Sequence, residues 1–298
     1  MFSLDLSSKI NHFFFNLPWY LNAIITMEAN EELGINILIL LSKMIFILHI
    51  IIINSKSLEN GTIVRIPINK ESGEKIEGNL NIPKSSKSLV IFAHGSGSSR
   101  YSPRNQYVSR VLNNDGVATL LIDLLTEREE KKDVVTKEYR FNISLLGDRL
   151  IAVTDWILNQ DNQLNTFNKT LGYFGASTGS AAALIAADKR SDNINAIVSR
   201  GGRVDLALKY TSLREIKCPT LFLVGENDHP VIEWNRQVIE KQLINVGKKK
   251  IIIIPQASHL FEEAGKLEEV AKYASGWFRC YFQIKEKTDN NKTKKNNY

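Results

Sequence analysis

Apolar and polar residues alternate over positions 62–68 and 75–82, on either side of the polar turn Asn69-Lys-Glu-Ser-Gly73, which predicts an antiparallel hairpin. Downstream the alternation gives way to short, mainly apolar runs at 88–93, 117–122, 169–174, 195–199, 219–224 and 249–254. Such runs are the mark of strands covered on both faces, as in parallel sheets. Between them, apolar residues recur at helical spacing over 103–113, 141–159, 181–187, 231–245 and 260–282, with Pro103 suited to a first helical turn. The pattern predicts an α/β chain with a mostly parallel, doubly wound sheet and an antiparallel N-terminal hairpin. Ligands of such sheets bind beyond the carboxyl ends of the strands, so the residues that follow each run carry the functional information.

Three stretches fall outside this rhythm. Residues 126–139 hold the charge run Glu127-Arg-Glu-Glu-Lys-Lys-Asp133, which reads as an exposed loop over the sheet, with a lid as the rarer alternative. Residues 1–58 form a hydrophobic N-terminal extension; within it, 33–53 carries sixteen apolar residues around a central Lys43. Aliphatic residues favour insertion by about 0.3–0.6 kcal/mol each against about 3 for a central lysine, so 33–53 is a candidate transmembrane helix. Acidic Glu28, Glu31 and Glu32 before it and Lys56 after it place the following body on the cytoplasmic side. A membrane anchor and an upstream extension of the reading frame both fit this segment. Residues 285–298 read as a disordered basic tail, leaving 59–284 as the folded domain.

Charge adds little to this picture. The formal net charge is +6, but the tail holds five lysines against Glu286 and Asp289 and so contributes +3 of it. The body is only mildly basic, which argues against a nucleic-acid partner. Cys218 and Cys280 are too few for a disulfide scaffold and lack metal-ligand spacing; both are expected to be reduced and partly buried, with no base beside either.

The chemistry centres on Gly175-Ala-Ser177-Thr-Gly179, where a strand-like run meets a small-residue helix. A serine on such a tight turn is a nucleophile elbow, and the flanking glycines answer the lack of room for side chains. The alternative is a serine that merely caps the helix. A hydroxyl becomes a nucleophile only when a base takes its proton and a third group holds that base. Of the five histidines, His259 follows the last strand in Ala257-Ser-His-Leu and is the candidate base. His12 and His49 lie in the leader, His94 precedes a glycine-rich loop, and His229 adjoins the candidate acid. Asp228, in Gly225-Glu-Asn-Asp228, is preferred to Asp205 as that acid because the chain order then runs Ser177, Asp228, His259; turn chemistry is its other role. Two backbone donors complete the arrangement: the N–H of Thr178, and an N–H from His94-Gly-Ser96-Gly-Ser-Ser99, with Ser96 the first choice. A phosphate cradle in that loop would need a lysine that is absent.

Together these motifs, in this order over residues 60–283, resemble the α/β-hydrolase family and within it the dienelactone-hydrolase-like branch. The resemblance implies the α/β-hydrolase fold, Ser177 as nucleophile, Asp228 as acid, His259 as base and Ser96 and Thr178 as oxyanion donors. The name-giving enzymes carry cysteine as nucleophile, so serine at 177 puts the dienelactone substrate, not the fold, in question. The expected activity is hydrolysis of a carboxylic ester, lactone or thioester through an acyl-enzyme, without metal or organic cofactor. Amide hydrolysis with the same residues and a non-catalytic ligand-binding scaffold are the rivals. Arg100 and Arg104 follow the oxyanion loop and Arg200 and Arg203 a strand end, and together they suggest a small anionic substrate; for Arg200 and Arg203, structural ion pairs with Asp123 or Asp205 are the competing role.

Overall fold

The computed structural model describes residues 61–69, 73–84, 86–159, 164, 167 and 170–295, with 284–295 as backbone only. The N-terminal extension and its candidate transmembrane helix therefore lie outside the described residues. Among the described residues no helix is long and apolar enough to cross a membrane.

The strands are β1 (Thr62–Pro67), β2 (Lys75–Asn81), β3 (Leu89–Ala93), β4 (Ala118–Ile122), β5 (Leu171–Ala176), β6 (Ile194–Arg200), β7 (Thr220–Gly225) and β8 (Lys249–Ile254). They form one sheet in the order β1-β2-β4-β3-β5-β6-β7-β8. β1 and β2 pair antiparallel, with Thr62 opposite Leu80, and β2 pairs antiparallel with β4; the remaining strands run parallel. The helices are α1 (Pro103–Asn114), α2 (Glu127–Thr136), α3 (Ile143–Leu158), α4 (Thr178–Lys189), α5 (His229–Lys241) and α6 (Lys266–Lys295). This is the α/β-hydrolase fold.

Each central strand buries both faces, which explains the unbroken apolar runs. Val90, Phe92, Phe174, Val198 and Leu223 meet Val108 and Leu112 of α1 and Val270, Ala274 and Phe278 of α6. Leu89, Ile91, Tyr173, Ile197 and Phe222 meet α3, the alanines of α4 and Val238 of α5. Phe92 and Phe174 stack across neighbouring strands with ring centroids 4.7 Å apart. Connections leave β3 toward β4 and leave β5 toward β6, in opposite directions along the sheet. The gap between the carboxyl ends of β3 and β5 is thus the switch point at which such sheets bind ligands.

The structure departs from the sequence expectations in three places. The charged run expected as a loop is the helix α2, started by a capping box in which Thr126 accepts from the Glu129 N–H and Glu129 accepts from the Thr126 N–H. Its polar residues are not all solvated: Asp133 accepts from Tyr139 N–H, Arg140 N–H and Arg140 Nε, and Glu129 pairs with Arg149 at 2.7 Å. The expected start of the last helix at 260 is displaced to Lys266, because 256–265 form the loop that carries His259. That helix also continues to Lys295, so 285–295, expected to be disordered, have helical backbone; the five lysines and Glu286 of this stretch are favourable helix residues.

Removing the cap tests whether α2 depends on it. Thr126→Ala is expected to cost about 1 kcal/mol, a fall of about 2–4 °C in Tm for a domain of this size. Thermal melts of the two proteins read this directly, and an unchanged Tm would show the cap to be idle.

Candidate active site

The elbow is built by backbone geometry that most residues avoid. Ser177 joins β5 to α4 with φ 51° and ψ −117°, a conformation that costs about 1–3 kcal/mol for a residue with a side chain. It is held there from both sides of its peptide: its N–H donates to Arg200 O at 3.0 Å, and its C=O accepts from Arg203 N–H at 3.1 Å. The neighbouring glycines are steric requirements. A Cβ on Gly179 would lie 2.2 Å from Ala93 O, and one on Gly175 would lie 2.5 Å from Ser180 Cα.

Ser177 stands at the N-cap position of α4 yet makes no side-chain capping bond, so the capping role fails on geometry. Its Oγ lies 3.2 Å from His259 Nε2, and His259 Nδ1 lies 2.6 Å from Asp228 Oδ2. A carboxylate only accepts, so Nδ1 carries the proton and Nε2 is left as the acceptor facing the serine hydroxyl. Asp228 likewise occupies the N-cap of α5 without a capping bond, leaving its carboxylate for the imidazole. The rival Asp205 is taken up by Arg203, which donates to it from Nε and Nη2, both at 2.9 Å.

The loop after β3 presses against the elbow. A Cβ on Gly95 would sit 3.2 Å from Ser177 Cβ. The Thr178 N–H is the first of α4 and belongs to the turn that has no intrahelical acceptor. Among the described residues no cluster of three or more His, Cys, Asp or Glu is placed to hold a metal ion.

The arginines fall into two groups. Arg100 binds Asp123 through Nη1 and its backbone N–H, and Glu77 through Nη2 at 2.6 Å. Arg203 is bound to Asp205 and stacked 4.4 Å from the Trp234 ring. For both, which were candidate substrate contacts, the guanidinium group is committed to a structural ion pair. Arg200, only 7% exposed, has no carboxylate within ion-pair distance among the described residues. Burial, with repulsion from Arg104, pulls its guanidinium down to about 10.

Two residues of the site escape sequence reasoning. His94 is buried behind the glycine loop, its Nε2 accepting from Leu124 N–H at 3.1 Å. Nδ1 is then the protonated nitrogen and donates to Gly95 O at 2.8 Å, so the ring ties the loop after β3 to the segment after β4. Its place at the end of β3 was visible, but its burial was not. Arg140 packs against Gly97, where a Cβ would meet its Nη1 at 3.2 Å, while its Nε holds Asp133 at 2.6 Å. No sequence signal connects Arg140 to that loop.

With this geometry in place, comparison with known proteins is decisive on ancestry. The model of the dienelactone hydrolase family matches residues 76–284. The chain belongs to the dienelactone hydrolase family. A crystal structure of a dienelactone hydrolase from Anabaena variabilis is 48% identical, covers 74% of this chain and 97% of its own, and superposes with a TM-score of 0.68. Two Mycobacterium tuberculosis proteins described as putative phosphoribosyl transferases are 48% identical over 203 residues, 68% of this chain. The chain spans only 43% of the length of those relatives. Est1E from Butyrivibrio proteoclasticus shares the fold at 17% identity and a TM-score of 0.55.

Within this dienelactone hydrolase family member both cysteines are free thiols. Cys218 is buried, and desolvation pushes its thiol up to about 12, while Cys280 is exposed rather than partly buried as expected. Burial also holds His94 below its ordinary value of 6.5, since a proton on Nε2 would take away the acceptor for Leu124. Folding thus favours the neutral ring: below about pH 6.5 the unfolded chain takes up a proton that the folded one resists. The stability this supplies is present above that pH and is lost as pH falls below it. Between about pH 7 and about pH 5, Tm is expected to drop more steeply in the wild type than in His94→Asn, whose amide does not titrate. Parallel pH profiles would show that this ring contributes nothing to the acid sensitivity.

Proposed function

We propose that this protein is a serine hydrolase that cleaves a carboxylic ester, lactone or thioester through an acyl-enzyme. The observation that carries the reading is the relay of Ser177 Oγ, His259 and Asp228 at 3.2 and 2.6 Å on a turn of positive φ. Ser177 Oγ attacks the acyl carbon as its proton passes to His259 Nε2, and the imidazolium is steadied by the Asp228 carboxylate. The oxyanion is met by the N–H groups of Ser96 and Thr178. Collapse expels the alcohol or thiol, which takes the proton from His259. Water, deprotonated by the same nitrogen, then attacks the acyl carbon and releases the acid and the free serine.

The transferase name carried by the mycobacterial relatives belongs to proteins of which this chain spans 43%. The groups gathered at the elbow are those of acyl transfer, and nothing in them resembles a sugar-phosphate cradle. The anionic-substrate reading loses its support, because Arg100 and Arg203 are held by carboxylates and Arg200 is buried. No particular feature of the site favours amides over esters.

Labelling with a fluorophosphonate probe tests the proposal. Wild-type protein is expected to be labelled and Ser177→Ala to remain unlabelled, with ester hydrolysis falling about 10⁶-fold. Asp228→Asn is expected to lose about 10⁴-fold in kcat by stabilising the wrong imidazole tautomer. Folded wild-type protein that takes up no probe would instead support a binding scaffold.

A further inference from the structure

Arg200 ends β6 and clamps the elbow through its backbone oxygen, and its side chain lies against Asn105 of α1 and Phe261 of the His259 loop. Its Nη2 reaches Asn105 Oδ1 at 3.5 Å, the outer limit of a hydrogen bond, and its charge centre lies 5.9 Å from the Phe261 ring. Among the described residues its Nε and Nη1, which are fully buried, have no hydrogen-bond partner, and the same holds for the Nε of nearby Arg104. Two guanidinium groups near enough to repel each other thus both carry buried donors without partners. Buried cations are ordinarily paired, because removal from water is costly unless an opposite charge or hydrogen bonds replace the lost solvation.

The two guanidinium groups are not paired alike. Arg104 is paired with Glu262 through Nη1 at 2.7 Å, whereas Arg200 makes no ion pair with a carboxylate among the described residues. The region also abuts the first turn of α1, where the helix dipole favours negative charge. We infer that a compact monovalent anion from solution, of the halide class, binds between Arg104 and Arg200 beneath the loop that carries His259. A single compact charge would neutralise the Arg200 guanidinium and accept from the unpaired donors, beside Phe261 and Asn105 side chains that are almost fully buried.

The loop above gives the bound anion a consequence. Gln256 and Phe261 both adopt positive φ, 59° and 58°, so the segment bearing His259 is strained at two side-chain-bearing residues. Phe261 is pinned over Arg200, and neutralising that guanidinium removes an uncompensated charge from under the strained segment. Anion binding thus stabilises the loop in the conformation that points His259 at Ser177.

Thermal melts at constant ionic strength, with chloride or bromide replacing gluconate, test the site without reference to catalysis. For the wild type a saturable rise is expected, about 2–4 °C once the halide stands at about five times its dissociation constant. The rise is expected to vanish in Arg200→Gln and to need at least several-fold more halide in Arg104→Gln. Arg104 is nearer the surface, so that variant decides the matter if Arg200→Gln does not fold. Crystals grown in bromide are expected to show an anomalous peak between the two guanidinium groups. Identical wild-type Tm in halide and gluconate, or an equal halide response in both variants, would overturn the inference.

Discussion

The constraint on which the site depends is the strained backbone of Ser177. A residue with φ near 50° and ψ near −117° stays there only if its surroundings over-determine it. Here the serine N–H is tied to the last residue of β6 and its C=O to the segment that follows, while Gly179 brings the start of α4 against the backbone carbonyls of Ala93 and His94. Three parallel strands thus converge on one hydroxyl. The eight-stranded sheet supplies the rigidity, since β5 lies in the middle of it and is buried on both faces.

The second ordering principle is that charge near the mouth is spent on architecture. Arg100 closes on Asp123 and Glu77, Arg203 on Asp205, Arg140 on Asp133 and Arg149 on Glu129. Each pair fastens a loop or helix at the carboxyl edge of the sheet, and α2 in particular is anchored through its two buried carboxylates rather than laid loosely over the site. Asp228 departs from this habit, since its carboxylate faces an imidazole instead of a guanidinium. Arg200 departs from it as well, being a buried cation among groups that do not neutralise it.

His94 shows how a neutral histidine can serve a site without touching its chemistry. Accepting from Leu124 and donating to Gly95, it joins the loop after β3 to the segment after β4, on opposite sides of which lie the elbow and α2. That role requires the ring to stay uncharged, and burial supplies the condition.

Much of this was legible in the residues alone. Apolar runs marked the strands because strands buried on both faces cannot alternate, and β8 was placed to the residue. Glycine spacing marked the elbow because the turn leaves no room for Cβ atoms, and the order of serine, aspartate and histidine named the three side chains that the fold brings within hydrogen-bonding distance. The helix α2 was hidden by its charges: Thr126 and Glu129 carried a capping signal, but the run looked solvated because the partners of Glu129 and Asp133 lie farther along the chain. Which arginines are free, which histidine is buried and which donors lack partners are facts of packing between elements remote in sequence. Local pattern determines where strands and turns form, because backbone sterics and side-chain periodicity are local; the state of each charge is decided by what the folded chain sets opposite it.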